Sequence, residues 1–375
     1  MIKNTKKRKI LIVGSFPPSN KKNIYGGQLT ACKTLIESEF SEKFKITTLN
    51  SSYFKNPPPV LIIRAYFAIS RILELIYKLY RNKPSTIIIF IADQLSAYEK
   101  GLMILIAKKM NISIMIFPRA GALIDQYYKS KFLRLYLKYT FSKSNIFLCQ
   151  GKSFQKFAMK ELNFSKSKAP IIPNWTAKKE HLDIGHWRIN NRESNLNNIL
   201  FLGWLEDAKG IKEILESANI LKLKNYNFHI KLAGDGSSKN YVNNFIKKNN
   251  LEEFISLVGW VNETQKKQEL RDATIFLLPS WEEGFPNALV EAMSSGLACI
   301  VSNVGMIPDF IKDKQNCILI KPKNIQQIVT SLEKLFNDLE YKNMISENAY
   351  FFANTNFSIQ NGSKLLSTAI NKLNS

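Results

Sequence analysis

Three features of the sequence predict an α/β protein with two domains, each built on a parallel sheet. The chain has 375 residues, which is about the length of two domains. Short apolar runs alternate with helical patterns along the whole chain. Two of these runs, at 10–14 and 199–203, are near copies that both end in glycine. Each therefore predicts the first strand of a βα unit.

The remaining elements follow in order from the same kind of pattern. In the first half, strands are predicted at 10–14, 44–48, 86–92, 112–117, 146–149 and 170–172, and helices at 27–39, 60–83 and 129–143. In the second half, strands are predicted at 199–203, 228–233, 255–258, 274–278, 298–302 and 317–320, and helices at 210–224, 287–296 and 358–373. The polar segment 173–198 lacks a long apolar run, so we expect the join between the domains there.

Composition excludes several classes of protein. Hydrophobic residues make up 45% of the chain, enough for two cores, so disorder is excluded as the main state. The four cysteines are scattered and have no histidine beside them, which disfavours a disulfide framework or a zinc site and fits the cytoplasm. No run approaches the roughly 18 apolar residues of a membrane span. Known nucleic-acid modules are absent, so no nucleic-acid partner is expected.

The chain carries a net charge of +23, and two stretches of the first half indicate a partner for it. In 60–83, the cations Arg64, Arg71 and Lys78 recur every seven residues and share one side of a predicted helix. The stretch 129–143 mixes basic and aromatic residues. Such helices can lie in the plane of an anionic bilayer. Two alternatives stay open: core-packed helices with a solvated basic side, and a chain-wide composition bias toward Lys, Asn and Ile.

The stretch 274–302 has the pattern strand, loop, helix, strand, and it is the stretch most suited to chemistry. A helix that begins near Asn287 presents backbone N–H groups, which favour a phosphate or diphosphate. Glu283 lies in the loop before that helix, and Glu291 lies one turn inside it. Carboxylates there can accept hydrogen bonds from sugar hydroxyls. Glu291 alone could equally complement the helix dipole.

The residues around these carboxylates resemble the retaining glycosyltransferases of family 4, which have the GT-B fold. The family signature is E-x7-E within a PS-x-x-EGF-x-x-x-LEAM-x-x-G framework, and Glu283 and Glu291 match its two glutamates. The resemblance extends over the second half through 201–210, 232–236, 258–261 and 304–308. It covers the first half loosely, through 15–18, Gly26, Gly27 and 172–174.

The resemblance implies a fold and an activity. The fold would be two Rossmann-like domains facing across a cleft: an acceptor-binding domain at 1–180 and a nucleotide-sugar-binding domain at 190–350. A C-terminal helix at about 355–375 would pack back on the first domain. The protein would move a sugar, with retention, from a nucleotide-sugar, most commonly UDP-linked, to a glycan acceptor that we expect to be lipid-linked. The setting would be bacterial cell-surface polysaccharide biosynthesis (O-antigen, capsule or lipopolysaccharide). No metal and no cofactor are expected.

The resemblance also implies roles for single residues. Glu283 would face the donor sugar, Glu291 would hold the ribose, and Lys209 would neutralise the diphosphate. The helix start at Phe285, Pro286, Asn287 and Ala288 would assist Lys209. Trp260, Val261 and Lys266 would border the nucleobase. Gly26 and Gly27 would approach the diphosphate from the other domain, where a side chain would obstruct it.

Two positions depart from the family pattern. Trp204 stands where the family usually has an arginine, so either Lys209 acts alone on the diphosphate or Trp204 stacks on the ligand. Arg119 stands where the family often has a histidine, and it would contact the donor or acceptor electrostatically because it stays protonated. These departures leave open a degenerate protein that binds a nucleotide-sugar or a partner enzyme without turnover. A soluble synthase of the sucrose or trehalose type is a further alternative. The expected location is the cytoplasm, peripheral on the inner face of the cytoplasmic membrane.

Overall fold

The computed structural model describes residues 7–16, 27–52, 60–92, 94–191 and 197–373. The chain divides into two compact units. Unit 1 contains Met1–Trp175 and Ile359–Ser375, and unit 2 contains Thr176–Ser358. Gly26 lies outside the described residues, as do Pro17 and Pro18 of the motif at 15–18 and residues 192–196 of the expected join.

Unit 1 is built on a parallel sheet. Its strands are β1 (Arg8–Gly14), β2 (Phe44–Asn50), β3 (Thr86–Ile91), β4 (Ser113–Pro118) and β5 (Ile146–Phe147). The sheet order is β2-β1-β3-β4-β5. The strands form where apolar runs can be buried on both faces, and Ile87, Ile88 and Ile89 of β3 have no exposed surface. The order reverses between β1 and β3, a switch point whose carboxyl edge is a usual ligand site in parallel sheets.

The strand predicted at 170–172 is wrong. Ile171 makes only an isolated bridge to Cys149, with one hydrogen bond from Cys149 N to Pro170 O (2.9 Å) and one from Ile172 N to Cys149 O (2.7 Å). Pro170 and Pro173 flank this bridge and have no N–H to donate, so the ladder cannot extend.

In the described part of unit 1, seven α-helices precede the join. They are α1 (Gly27–Ile36), α2 (Phe40–Lys43), α3 (Leu61–Asn82), α4 (Gln94–Lys109), α5 (Ala122–Lys129), α6 (Lys131–Phe141) and α7 (Lys152–Leu162). The helix predicted at 129–143 is therefore two helices. The break falls at Ser130, whose backbone is extended and whose hydroxyl caps α6 by accepting a hydrogen bond from Leu133 N (3.2 Å).

The orientation of α3 contradicts the expectation of a solvated basic side. Arg71 is buried and donates to Glu99 of α4 at 2.7 Å, and Lys78 Nζ donates to Thr48 O at 2.6 Å. The apolar side of α3 faces outward instead, with Ile69 and Leu73 about 60% exposed. Within the described part of the chain, no helix is long and apolar enough to cross a bilayer.

Unit 2 is built on a second parallel sheet. Its strands are β6 (Asn198–Leu202), β7 (His229–Ala233), β8 (Ile255–Gly259), β9 (Ile275–Leu278), β10 (Ala298–Ser302) and β11 (Ile318–Ile320). Its helices are α8 (Lys179–Asn190), α9 (Ile211–Leu223), α10 (Lys239–Lys248), α11 (Glu263–Asp272), α12 (Asn287–Ser294), α13 (Ile307–Phe310), α14 (Ile325–Asn337) and α15 (Leu339–Phe357). The sheet order is β11-β10-β9-β6-β7-β8, so the switch point lies between β6 and β9.

The helix after unit 2, α16 (Ile359–Asn371), belongs to unit 1. Its residues Leu366 and Ile370 are fully buried in the same core as Ile10 and Trp175. The carbonyl of Ile370 also accepts a hydrogen bond from Arg8 Nη1 at 2.8 Å. The core of unit 1 is therefore assembled from both ends of the described chain.

Candidate active site

The loop between β9 and α12 lies at the carboxyl edge of the unit 2 sheet, beside the switch point, and its neighbours fix its path. Trp281 N donates to Ala208 O at 2.8 Å, and Met306 N donates to Gly284 O at 2.9 Å. Gly305 has a φ of +57°, and a Cβ there would lie 1.9 Å from the carbonyl oxygen of Glu283, so only glycine fits. The loop is therefore held between the turn after β6 and the turn after β10.

Lys209 and Glu283 meet at this edge. Lys209 Nζ lies 2.7 Å from Glu283 Oε1, and Ser280 Oγ donates to the same oxygen at 2.9 Å. The Lys209 side chain is 24% exposed and that of Glu283 is 10% exposed. Gly210 sets the turn: its φ is +75°, and a Cβ would lie 2.3 Å from Pro279 O. The sequence thus brings a cation and an anion into contact where the strands β6 and β9 are neighbours.

Glu291 is the first of four charged side chains that contact one another in sequence. Lys266 Nζ lies 2.8 Å from Glu291 Oε1 and 3.0 Å from Glu263 Oε1, and Glu263 Oε2 lies 2.7 Å from Lys178 Nζ. Burial alone would lower the pKa of Lys266, but the carboxylates of Glu291 and Glu263 outweigh it and raise that pKa. Burial would raise the pKa of Glu263, yet the nearby ammonium groups lower it to about 2. Lys266 and Glu263 are therefore both charged at neutral pH.

His181 stands behind these four side chains on α8, a helix that packs against α12. It is 1% exposed, and within the described ranges its Nδ1 has no hydrogen-bond partner. Burial lowers the pKa of His181; Glu291 opposes the shift, and Lys266 adds to it. The imidazole is thus a buried group near Glu291, and its position was not predicted from the sequence. Nothing local in the sequence signals it, because the contact arises from the packing of two helices.

The start of α12 is the predicted anion site. No side chain caps it: Pro286 occupies the N-cap position, and Ala288 is half-buried behind it. The amide oxygen of Asn287 accepts a hydrogen bond from Thr176 Oγ1 at 3.4 Å. The ring of Phe285 is buried against Phe310 and Phe357, with centroids 4.9 and 5.0 Å away, so a ligand contact of Phe285 would be made by its backbone.

Trp204 and Trp260 form a pair of rings after β6 and β8. Their centroids lie 5.3 Å apart with 44° between the planes, and Trp260 is 37% exposed. Val261 follows as a half-buried residue. Aromatic faces of this kind can stack with a planar base. The contact between the two rings is a finding of the structure, and their role in holding a base stays a prediction.

Unit 1 holds the remaining predicted residues. Gly27 is the first residue of α1. Arg119 follows β4, and its guanidinium carbon lies 5.0 Å from the ring centre of Phe117 and 5.2 Å from that of Trp175. Its Nη1 is buried and has no hydrogen-bond partner among the described residues. Burial lowers the pKa of Arg119 to about 10, so the group stays cationic at neutral pH. A half-buried cation whose Nη1 is a buried donor to spare suits an anionic oxygen.

In the described ranges, no group of three or more His, Cys, Asp or Glu side chains is arranged to hold a metal ion. The expectation that the reaction uses no metal and no cofactor stays a prediction.

Comparison with known proteins finds a family that matches part of this chain. Residues 186–351, which include Lys209, Lys266, Glu283 and Glu291, match the family described as "Glycosyl transferases group 1". The match supports a glycosyltransferase family. An uncharacterized glycosyltransferase of Methanocaldococcus jannaschii is 26% identical over 220 residues, which are 59% of this chain and 58% of that protein. The UDP-Gal:alpha-D-GlcNAc-diphosphoundecaprenol alpha-1,3-galactosyltransferase of Escherichia coli is 27% identical over 209 residues, which are 54% of this chain and 53% of that protein.

The chain thus spans about half the length of these two glycosyltransferases. Similarity to solved structures extends over more of the chain than similarity to these two sequences does. The sucrose-phosphate synthase of Thermosynechococcus elongatus has a TM-score of 0.77 over 98% of this chain and 99% of that one, at 13% identity. Similarity at this level of identity establishes the fold and nothing further. The fold is GT-B-like, as the sequence predicts, with two Rossmann-like parallel sheets.

Proposed function

We propose that this protein is a retaining glycosyltransferase of family 4 that moves a sugar from a UDP-sugar to a lipid-linked glycan acceptor in cell-surface polysaccharide assembly. One observation carries the proposal most directly: Lys209 and Glu283 form a 2.7 Å ion pair at the switch point of unit 2, beside the uncapped start of α12. The E-x7-E pair, Glu283 and Glu291, lies within the segment that matches the glycosyltransferase family.

The donor diphosphate would bind between Lys209 and the start of α12. The positive end of the helix dipole and its first N–H groups favour such an anion. Binding would exchange the partner of Lys209: its ammonium group leaves Glu283 for a phosphate oxygen. Glu283, held by Ser280 at 2.9 Å, would then be available to accept hydrogen bonds from hydroxyls of the donor sugar.

The transfer step breaks the bond between the anomeric carbon and the phosphate oxygen. The acceptor hydroxyl forms the new bond to that carbon on the same face, and its proton passes to the leaving phosphate. Negative charge grows on the diphosphate as the first bond breaks, and Lys209 and the N–H groups of α12 are aimed at it. The step needs no side chain as general base, which is consistent with Arg119 in the place of a histidine.

Nucleoside recognition would use the remaining residues of unit 2. Glu291 would accept from the ribose hydroxyls, with Lys266 holding its carboxylate at 2.8 Å. Trp204 and Trp260 would offer ring faces to the base, with Val261 at its edge. The activity named for the E. coli relative supports UDP as the nucleotide and a diphosphoundecaprenol-linked sugar as the type of acceptor. An acceptor of that kind requires the enzyme to work at a membrane surface.

The test compares two neighbouring glutamates. We expect Glu283→Gln to lower transfer or donor hydrolysis by about 100-fold or more, because the carboxylate contacts the reacting sugar. The matched control is Glu282→Gln, which removes the same charge from the exposed residue next to it and should keep full activity. A screen of UDP- and GDP-sugars with the purified protein supplies the substrate for both measurements.

Three outcomes separate the alternatives. Uptake of UDP in calorimetry without turnover of any donor would favour a binding protein that does not react. Transfer to free soluble sugars would favour a synthase of the sucrose or trehalose type. Equal activity of Glu283→Gln and the wild type would overturn the assignment of the site.

A further inference from the structure

The net positive charge of the protein lies in one unit. Unit 1 contains 32 Lys and Arg against 8 Asp and Glu, which leaves +24, while unit 2 contains 21 against 22, which leaves −1. A composition bias would act on both units alike, so it does not account for this division. Charge asymmetry of this kind indicates an anionic partner for the basic half.

Helix α3 of unit 1 turns its charged side inward. Arg71 makes a bidentate ion pair with Glu99 of α4: its Nε donates to Oε1 at 2.7 Å and its Nη2 donates to Oε2 at 2.8 Å. Leu75 and Leu79 are buried on the same side of the helix. The described residues of unit 1 therefore hold α3 by its inner side and leave the large side chains of the opposite side exposed.

The opposite side of α3 is apolar and exposed. Its large side chains recur three or four residues apart, so they form one stripe along the helix. They are Ile62, Tyr66, Ile69, Leu73, Ile76, Tyr77 and Tyr80. Ile62 is 83% exposed and Tyr80 is 75% exposed. The stripe runs for about 27 Å at 1.5 Å per residue. A contiguous exposed apolar surface of this size marks an interaction site.

Helix α6 continues this exposed surface and adds positive charge, which the apolar stripe of α3 lacks. Phe132, Leu135 and Tyr139 are 60% exposed or more. Exposed lysines alternate with them at Lys131 and Lys138, and the exposed Lys143 follows two residues after the helix. Helix α4 packs against both α3 and α6, with the rings of Tyr98 and Phe132 5.9 Å apart, and exposes Leu95 and Leu102. We call the exposed apolar and basic residues of α3, α4 and α6 the outer face.

We propose that the outer face docks on the surface of an anionic lipid bilayer, with α3 lying in the plane of the membrane. The apolar stripe would enter the boundary between headgroups and acyl chains, and the lysines of α6 would contact lipid phosphates. Charge selects this partner over a second copy of the chain. Two copies would bring two units of +24 together, and like charges oppose such a contact.

The inference stands apart from the proposed function, because it uses no residue of unit 2 and no step of sugar transfer. It is tested by co-sedimentation of the full chain with phosphatidylcholine–phosphatidylglycerol vesicles and with pure phosphatidylcholine vesicles. We expect binding to the mixed vesicles only, weakening as salt is added. Failure of the donor site would leave this result unchanged.

The decisive variant is the double substitution Ile69→Glu and Leu73→Glu, which places two anions in the middle of the stripe. We expect at least a tenfold loss of vesicle binding. The matched control is Leu223→Glu with Phe351→Glu, which adds the same charges at exposed apolar residues of unit 2 and should bind like the wild type. All four positions are exposed, and the circular dichroism melt of each protein verifies its fold.

A second pair of variants tests the charge alone. Lys131→Gln with Lys143→Gln should weaken binding by about fivefold for each lysine removed. Lys247→Gln with Lys248→Gln, exposed on α10 of unit 2, should have no effect. The proposal is overturned if the wild type binds neutral vesicles equally well or binds neither kind. It is also overturned if light scattering finds a dimer that the substitutions at 69 and 73 dissociate, since a second copy would then cover the stripe.

Discussion

Units 1 and 2 have the same kind of sheet and use opposite electrostatics. Both are parallel sheets with a switch point beside their first strand. Unit 2 is nearly neutral, whereas unit 1 carries the net positive charge of the chain. The shared architecture therefore creates an edge where ligands can bind, and the side chains placed there decide which ligands those are.

The difference is visible at single cations. In unit 2, Lys209, Lys266 and Lys231 each lie within 2.8 Å of a carboxylate oxygen. In unit 1, Arg119 lies against two aromatic rings, and its buried Nη1 has no partner among the residues described. Unit 2 thus holds paired charges that a ligand can separate, while unit 1 holds a cation that still has a hydrogen-bond donor to offer.

The largest expected effect is at Lys209. If its ion pair opens to receive the diphosphate, Lys209→Met should lower kcat/KM for the donor by about 100- to 1000-fold, as loss of one oxyanion donor does. Steady-state kinetics with the UDP-sugar found in the screen would measure it.

The control for this variant is Lys212→Met, which removes an exposed lysine of α9 whose partner Glu216 is 3.7 Å away. This control should react at the wild-type rate. If Lys209→Met loses less than tenfold, the paired lysine is structural, and the contrast between the two units loses its functional meaning.

A smaller effect is expected at Arg119. Arg119→Met removes a half-buried cation and its buried Nη1 donor, so we expect transfer to fall by about 10- to 100-fold, as loss of a hydrogen bond to a charged group does. UDP binding, measured by calorimetry, should stay unchanged because the proposed nucleotide site lies on unit 2.

The Arg119→Met substitution should lower transfer activity without lowering thermal stability. A buried charge with an unmade hydrogen bond costs free energy, so the thermal midpoint of Arg119→Met should equal or exceed that of the wild type. A strongly lowered midpoint would mean that Arg119 mainly supports the rings of Phe117 and Trp175.

The smallest effect concerns Glu263. Its folded pKa of about 2 lies below the unfolded value of about 4.3, so its contribution to stability is present above pH 4.3 and is lost as pH falls toward 2. The side chain is 56% exposed, so screening limits the contribution to about 1 kcal/mol or less.

Glu263→Gln should therefore be slightly less stable than the wild type at pH 7, and the gap should close near pH 2. Urea unfolding at several pH values would measure this gap. A gap that stays constant down to pH 2 would show that the substitution acts through something other than the charge of Glu263.

Local patterns were sufficient to predict most strands. The run at 86–92 predicts β3 because a parallel sheet buries Ile87, Ile88 and Ile89 completely. The short run at 170–172 also contains adjacent isoleucines, but Pro170 at its start and Pro173 after it prevent a ladder. Lys209, Glu283 and Glu291 could be selected from the sequence because each lies in a motif of adjacent residues, and the structure brings Lys209 and Glu283 into contact. The role of these three residues in a ligand site stays a prediction.

Contacts between distant residues were not predictable in this way. The sequence separated the basic from the apolar side of α3, yet it could not tell which side faces inward. That choice depends on Glu99 and Thr48, which are 28 and 30 residues away from their partners Arg71 and Lys78. His181 is a similar case, because its position near Glu291 exists only after α8 packs on α12.

The position of α16 has a consequence for synthesis on the ribosome. Unit 2 is one continuous stretch, Thr176–Ser358, and every residue of it is translated before α16. Unit 1 must wait for Leu366 and Ile370 to emerge before its hydrophobic interior closes. During translation, the N-terminal domain usually folds first. Here unit 1 contains the N-terminal strands, yet its folding is completed only after unit 2 has been translated.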